Sequence, residues 1–227
     1  MKTAVFGSVL ALVFIISQPA VAQLAATYSK PAQARLLIQR AMQSPQSDNA
    51  TAIFYSGGIS HFDSFIPFAF DLKTTWDQSR SHWKFTYHDG RISRADNVDG
   101  SGEVTESYVV WNNSAGAPVL SAYQNKDGHY DWYMYAEFDS SGKIQTLYHY
   151  GKAFELGSYD VYSYGDNATT IQEYTRDSQP RMETIYDSNG DLFLVDNGQK
   201  RLVNHVDRKK AVCELVKFGL KPFYPNY

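Results

Sequence analysis

The chain has 227 residues, of which 43% are hydrophobic and 20% charged, with a formal net charge of −3. So mild an acidic balance excludes the clustered basic face on which nucleic-acid binding depends. The single cysteine, Cys213, excludes an internal disulfide framework. It leaves a buried inert thiol, the expectation for an unpaired cysteine, or a bond to another chain.

Residues 1–22 read as a secretory signal. Lys2 precedes the apolar run "AVFGSVLALVFII", and Ala20-Val21-Ala22 gives a small-x-small end with cleavage before Gln23. The run is short for a membrane span, and no later stretch approaches spanning length. The expectation is therefore an exported protein without a transmembrane segment, with residues 23–227 as a single β-rich domain.

Residues 30–43 predict a short helix, capped by Ser29 and ended by Ser44-Pro45. From about residue 52 the pattern changes to short apolar bursts between Gly, Asp, Asn and Ser turns. The turns form two interleaved series. One holds Gly90, Gly116, Gly142, Asp166-Asn167 and Gly190; the other holds Gly102, Gly128, a less distinct turn near Gly151–Gly157, and Asp177-Ser178. Successive hairpins alternate their turns between the two ends of a sheet in this way. The stretch "VDRKKAVCELVKFGLKP" predicts a closing helix, capped by Asp207 and stopped at Gly219, with Ala211, Val212, Leu215 and Val216 on its apolar side. The expected fold is mainly β: a curved antiparallel β-meander of eight or more strands, a half-barrel or two-sheet form, with one or two short helices. Sheets of that size curl, split or close. A curled sheet rich in Tyr, Phe and Trp leaves an apolar hollow suited to an apolar ligand. The abundance of Tyr by itself needs only β-propensity.

Catalytic signatures such as G-x-S-x-G, H-E-x-x-H and the P-loop are absent from the sequence. The six histidines are scattered; His82 and His88, six apart in one strand, share a face. Carboxylate pairs such as Asp160 with Asp166 read as ordinary sheet surface. Three N-x-[ST] sequons, at Asn49, Asn112 and Asn167, fall in an expected loop and two expected hairpin turns, where glycans are tolerated. The stretch "DNVDGSGEV" sets Asn97, Asp99, Ser101 and Glu103 at spacings seen in calcium loops. Its flanks are β-like, and Tyr108 stands where a bidentate Glu belongs. A glycine-rich hairpin turn and a weak calcium site both fit it.

The segments "WKFTYHDGRISRADNVDGSGE" and "YQNKDGHYDWY" resemble the ependymin family in their aromatic strand, Arg-x-x-Arg strand and acidic turn. The matching residues are Arg91, Arg94, Asp96, Asp127, Gly128 and Tyr130. The resemblance implies a secreted, N-glycosylated, calcium-associating protein whose curved β-structure encloses an apolar pocket, similar to bacterial lipoprotein carriers. The family's usual cysteines are missing here, since Cys213 stands alone.

The function expected from these readings is that of a non-enzymatic, secreted extracellular glycoprotein. It binds an apolar small molecule or lipid, associates weakly with calcium and takes a place among extracellular matrix components. It has no other cofactor and no nucleic-acid partner. The rivals are a bacterial periplasmic lipid carrier, a YD-type repeat scaffold, and a secreted hydrolase whose site is assembled from dispersed residues.

Overall fold

A computed structural model describes residues 50–55, 60–62, 66–69, 72–75, 77, 79–113, 116–205 and 208–221, together with Leu36 and Gln39. The expected signal, the loop holding Asn49, and Asp207 lie outside the described residues. Of the helix expected over 30–43, only Leu36 and Gln39 are described; both are helical, and Leu36 is exposed.

The chain is mainly β, as expected. Twelve strands form one antiparallel meander that does not close into a barrel. They are β1 (Ala50–Tyr55), β4 (His82–His88), β5 (Arg91–Val98), β6 (Val104–Asn112), β7 (Pro118–Asn125), β8 (Tyr130–Phe138), β9 (Ile144–Gly151), β10 (Leu156–Tyr164), β11 (Ala168–Thr175), β12 (Pro180–Asp187), β13 (Asp191–Asp196) and β14 (Gln199–His205). From β4 onward every neighbour in the sheet is the next strand in sequence. A separate hairpin pairs β2 (Ser60–Phe62) with β3 (Ile66–Phe68), and one helix, α1 (Arg208–Lys217), follows β14.

Side chains alternate between two faces of the sheet. The inner face carries the main core: Ile53, Phe85, Ala95, Val110, Met134, Ala136, Leu147, Tyr162, Ile171 and Tyr186. Ile66, Ala69 and Leu72 from the β2–β3 region and Leu215 and Leu220 from the C-terminal end pack against it. The outer face carries a second cluster of Leu120, Ala122, Tyr133, Tyr148 and Tyr150, with Trp111, Tyr130, Tyr135, Phe154 and Tyr159 around it. Here the tyrosines form a ladder: Tyr135 with Tyr148 at 6.4 Å, Tyr148 with Tyr159 at 6.1 Å, and Tyr159 with Tyr174 at 5.2 Å between ring centroids. Cross-strand aromatic pairs of this kind stabilise a sheet face.

Four of the hairpin turns share one device. At Asp99, Asn125, Asp139 and Asp187 the side-chain oxygen accepts backbone N–H bonds from residues two and four further on. Gly102, Gly128, Gly142 and Gly190 then take the left-handed conformation. This is the side-chain-capped turn that Asp and Asn favour.

Helix α1 ends in a Schellman motif. Leu220 donates to the Leu215 carbonyl and Gly219, at φ 69°, donates to Val216. That closure puts Leu215 and Leu220 together in the core and sends the Lys221 N–H to the Gly90 carbonyl at 2.8 Å. Two expectations are corrected as a result. Val216 is 58% exposed, because the motif turns Leu220 into the apolar position instead. Cys213 is exposed on the helix rather than buried.

Burial pushes the phenols of Tyr87 and Tyr150 well above their ordinary pKa. The hydroxyl of Tyr150 has no hydrogen-bond partner among the described residues. The fold therefore favours the neutral phenols. Their contribution is intact below the unfolded-state pKa of about 10 and is lost as pH rises above it. Urea midpoints are expected to hold from about pH 8 to 9.5 and then fall, with a shallower fall in Tyr150→Phe. An equal slope in the variant would remove Tyr150 from the account.

Candidate functional site

The inner face is filled at one end and partly open at the other. The filled end, where the Gly90, Gly116, Gly142 and Gly190 turns lie, is the end at which Lys221 docks on Gly90. At the opposite end, register places functional side chains in rows across the strands. The first row is Trp83, Asn97, Glu106 and Asn125. The second is Phe85, Ala95, Tyr108, Tyr123, Trp132 and Gly151. The third runs from Met134 to His149 and Ser158, and the fourth from Leu147 to Asp160, Glu173 and Met182.

The third and fourth rows frame a cavity of about 260 Å³, lined by His149, Ser158, Asp160, Ile171, Glu173, Met182 and Thr184. His149 Nε2 meets Asp160 Oδ2 at 2.9 Å, and the Asp160 side chain is only 11% exposed. Glu173, 17% exposed, pairs with Arg181 at 3.1 Å; Arg181 comes from the rim and is 65% exposed. Ile171 and Met182 supply apolar wall, while Ser158 and Thr184 add hydroxyls. The cavity lies just below the usual range for small-ligand pockets, about 300–1,000 Å³. It suits a small molecule, or one end of a larger one.

Beside the cavity stands an aromatic shelf. Tyr123 and Trp132 stack at 5.6 Å, and Tyr108 packs against both, at 5.5 and 5.8 Å. Glu106 accepts a hydrogen bond from Asn97 Nδ2 at 3.0 Å. Burial, the Glu106 charge and a hydrogen bond to Glu106 raise the Tyr123 phenol above its ordinary pKa.

None of the cavity residues forms a local motif. His149 and Asp160 lie 11 positions apart and meet only through the β9–β10 register. The pairing of His82 with His88 leads nowhere: six residues of strand separate them by about 20 Å. His82 is buried, with Nδ1 against the Arg80 carbonyl.

Asp99 Oδ1 accepts from Ser101 N, Ser101 Oγ and Glu103 N at 2.8, 2.6 and 3.0 Å. These bonds, led by the Ser101 hydroxyl, hold its carboxyl below the usual range. Asn97 is turned away to Glu106, and Ser101 and Glu103 are exposed. The four residues thus do not converge. Asp139 makes the same three bonds, to Ser141 and Lys143, in another hairpin turn. No group of three or more His, Cys, Asp or Glu side chains that could hold a metal occurs among the described residues. Calcium titration heats for the native protein and Asp99→Ala are expected to coincide; a loss of heat in the variant would return this loop to the metal-site reading.

Asn112 is the last residue of β6 rather than part of a turn, and its Nδ2 donates to the Ile92 carbonyl at 2.9 Å. Glycosylation acts on that nitrogen. Asn167 is exposed in the β10–β11 turn. When the chain is secreted from a eukaryotic host, Asn167→Gln is expected to remove a glycan-sized mobility step and Asn112→Gln to leave mobility unchanged. The reverse pattern would mean that β6 orders only after glycan addition.

The residues behind the family resemblance have structural roles. Arg91 Nη1 bonds the Gly116 carbonyl. Arg94 donates to Asp96, Ser107 and Gln124 at 2.5, 2.8 and 3.0 Å, and Ser107 donates to Asp96 at 2.6 Å. Asp127 and Gly128 form the β7–β8 turn, and Tyr130 joins the outer cluster.

No family model matches the chain, and no curated protein matches it. Among solved structures, a crystal structure of a GtfA/B complex bound to UDP and GlcNAc aligns at 17% identity. The alignment covers 61% of this chain and 27% of that one, with a TM-score of 0.19, too low to carry any argument. No helix among the described residues is long and apolar enough to cross a membrane.

Proposed function

We propose that this chain is a secreted, non-enzymatic glycoprotein of ependymin-like type whose inner face binds an apolar or amphiphilic small molecule. One observation carries the reading: a cavity on the inner face with apolar walls at Ile171 and Met182 and a polar handle of half-buried His149 and buried Asp160. Ligand sites combine apolar lining with a few convergent polar groups in this manner. Secretion, weak association with calcium and a place in the extracellular matrix come from the sequence and its resemblance.

A hydrolytic reading draws on Ser158, His149 and Asp160 lining one cavity. It is the weaker of the two, because no hydrogen bond joins the Ser158 hydroxyl to the imidazole, the contact a nucleophile and its base need. Labelling of Ser158 by a fluorophosphonate probe would favour it.

The test of the binding reading is extraction and mass spectrometry of the purified secreted protein beside Thr184→Trp, which fills the cavity from its half-buried side. An apolar molecule is expected to accompany the native chain and to be lost from the variant. Equal recovery from both would place the ligand elsewhere and defeat the reading.

A further inference from the structure

We infer that the inner-face cavity takes the cationic head of an amphiphile, a protonated or quaternary amine on an apolar chain, with Asp160 and Glu173 as its counter-charges. The inference rests on the ligand-binding reading above and names the class of its ligand.

Asp160 and Glu173 are cross-strand partners on β10 and β11, so their carboxylates stand side by side on one face. Both line the cavity with little exposure. Neighbouring carboxylates in a sheltered site repel and call for positive charge. Among the described residues, no Lys or Arg lines this hollow. Arg181 reaches Glu173 from the solvent-exposed rim, where an ion pair contributes little, and the His149 ring lies against Asp160.

A third carboxylate lies on the same face of the sheet. Gly151 faces inward two residues beyond His149, and the carboxylate of Glu155 occupies the space where a side chain at Gly151 would stand. Trp132 is the cross-strand partner of Gly151 and offers a ring to a cation. Ile171 and Met182 provide the wall for an apolar chain. An anionic head would meet these carboxylates, whereas a cationic head would add to the partners His149 and Arg181 that they already have.

The experiment is titration calorimetry of the full secreted chain at pH 8 with n-octylamine, n-octanol, octanoate and methylamine. Octylamine is expected to bind at least about tenfold more tightly than the other two octyl compounds, and methylamine only weakly. In Asp160→Asn/Glu173→Gln the preference should shrink below about twofold; Glu173→Gln alone, at a less buried position, should lower it about threefold. Equal binding of the three octyl compounds would overturn the cationic class and leave the ligand-binding reading standing. Binding by none would overturn both. Methylamine as tight as octylamine would assign the site to small free amines and overturn the amphiphile. A preference unchanged in both variants would overturn the siting.

Discussion

Phe85→Ala is expected to lower the unfolding free energy by about 3–5 kcal/mol, the range for deleting a large side chain from a packed core. Phe85 is 0% exposed, at the centre of the inner-face cluster. It joins Ile53 on β1 to Ala95 on β5, so its loss opens a cavity where the first strand of the sheet is attached. Urea denaturation checks this as a fall in midpoint at unchanged slope. A change below about 1 kcal/mol would mean that the inner face near β1 is not packed as described.

Asp96→Ala is the second large effect, expected at about 2–3 kcal/mol. Asp96 is 8% exposed and is the shared acceptor for Arg94 and Ser107. Its removal leaves the guanidinium without its counter-charge, and breaking one side of a buried pair costs more than the pair's net contribution. Arg94 is 30% exposed, which keeps the effect at the lower end. Restoring balance is the control: Asp96→Ala combined with Arg94→Leu should recover part of the loss in a double-mutant cycle. Additive losses would dissolve the network as a unit.

The meander was legible in the sequence because hairpins announce their turns. Asp99, Asn125, Asp139 and Asp187 each precede a glycine by three positions, and the structure uses all four alike. The same regularity explains why "DNVDGSGEV" resembles a calcium loop: an Asp that caps a turn and a Gly that closes it reproduce half of such a loop's spacing. The apolar side of α1 was less legible. Helical periodicity ends at Lys217, whereas the core residue Leu220 lies beyond the Gly219 turn.

The cavity was not legible, for a specific reason. His149 and Asp160 approach only if the β9–β10 register is known, and that register depends on the one turn the sequence left indistinct. The turn is built by Gly151 and by Phe154 at φ 62°, an unusual conformation for a bulky residue, followed by a bulge between Leu156 and Ser158. A one-residue slip there would have moved every side chain of β10 to the other face. Tyrosine content was legible only as β-propensity. The outer ladder from Tyr135 to Tyr174 needs the pairing of four strands before its rings come together.

The most direct measurement is methyl and ring NMR of the labelled protein during titration with n-octylamine. Shift changes are expected at the Ile171 and Met182 methyl groups and the His149 ring, with the outer-face Leu120 methyl groups and Tyr133 ring unmoved. Changes confined to Leu120, Tyr133 and their outer-face neighbours, with Ile171 and Met182 silent, would contradict an inner-face binding site.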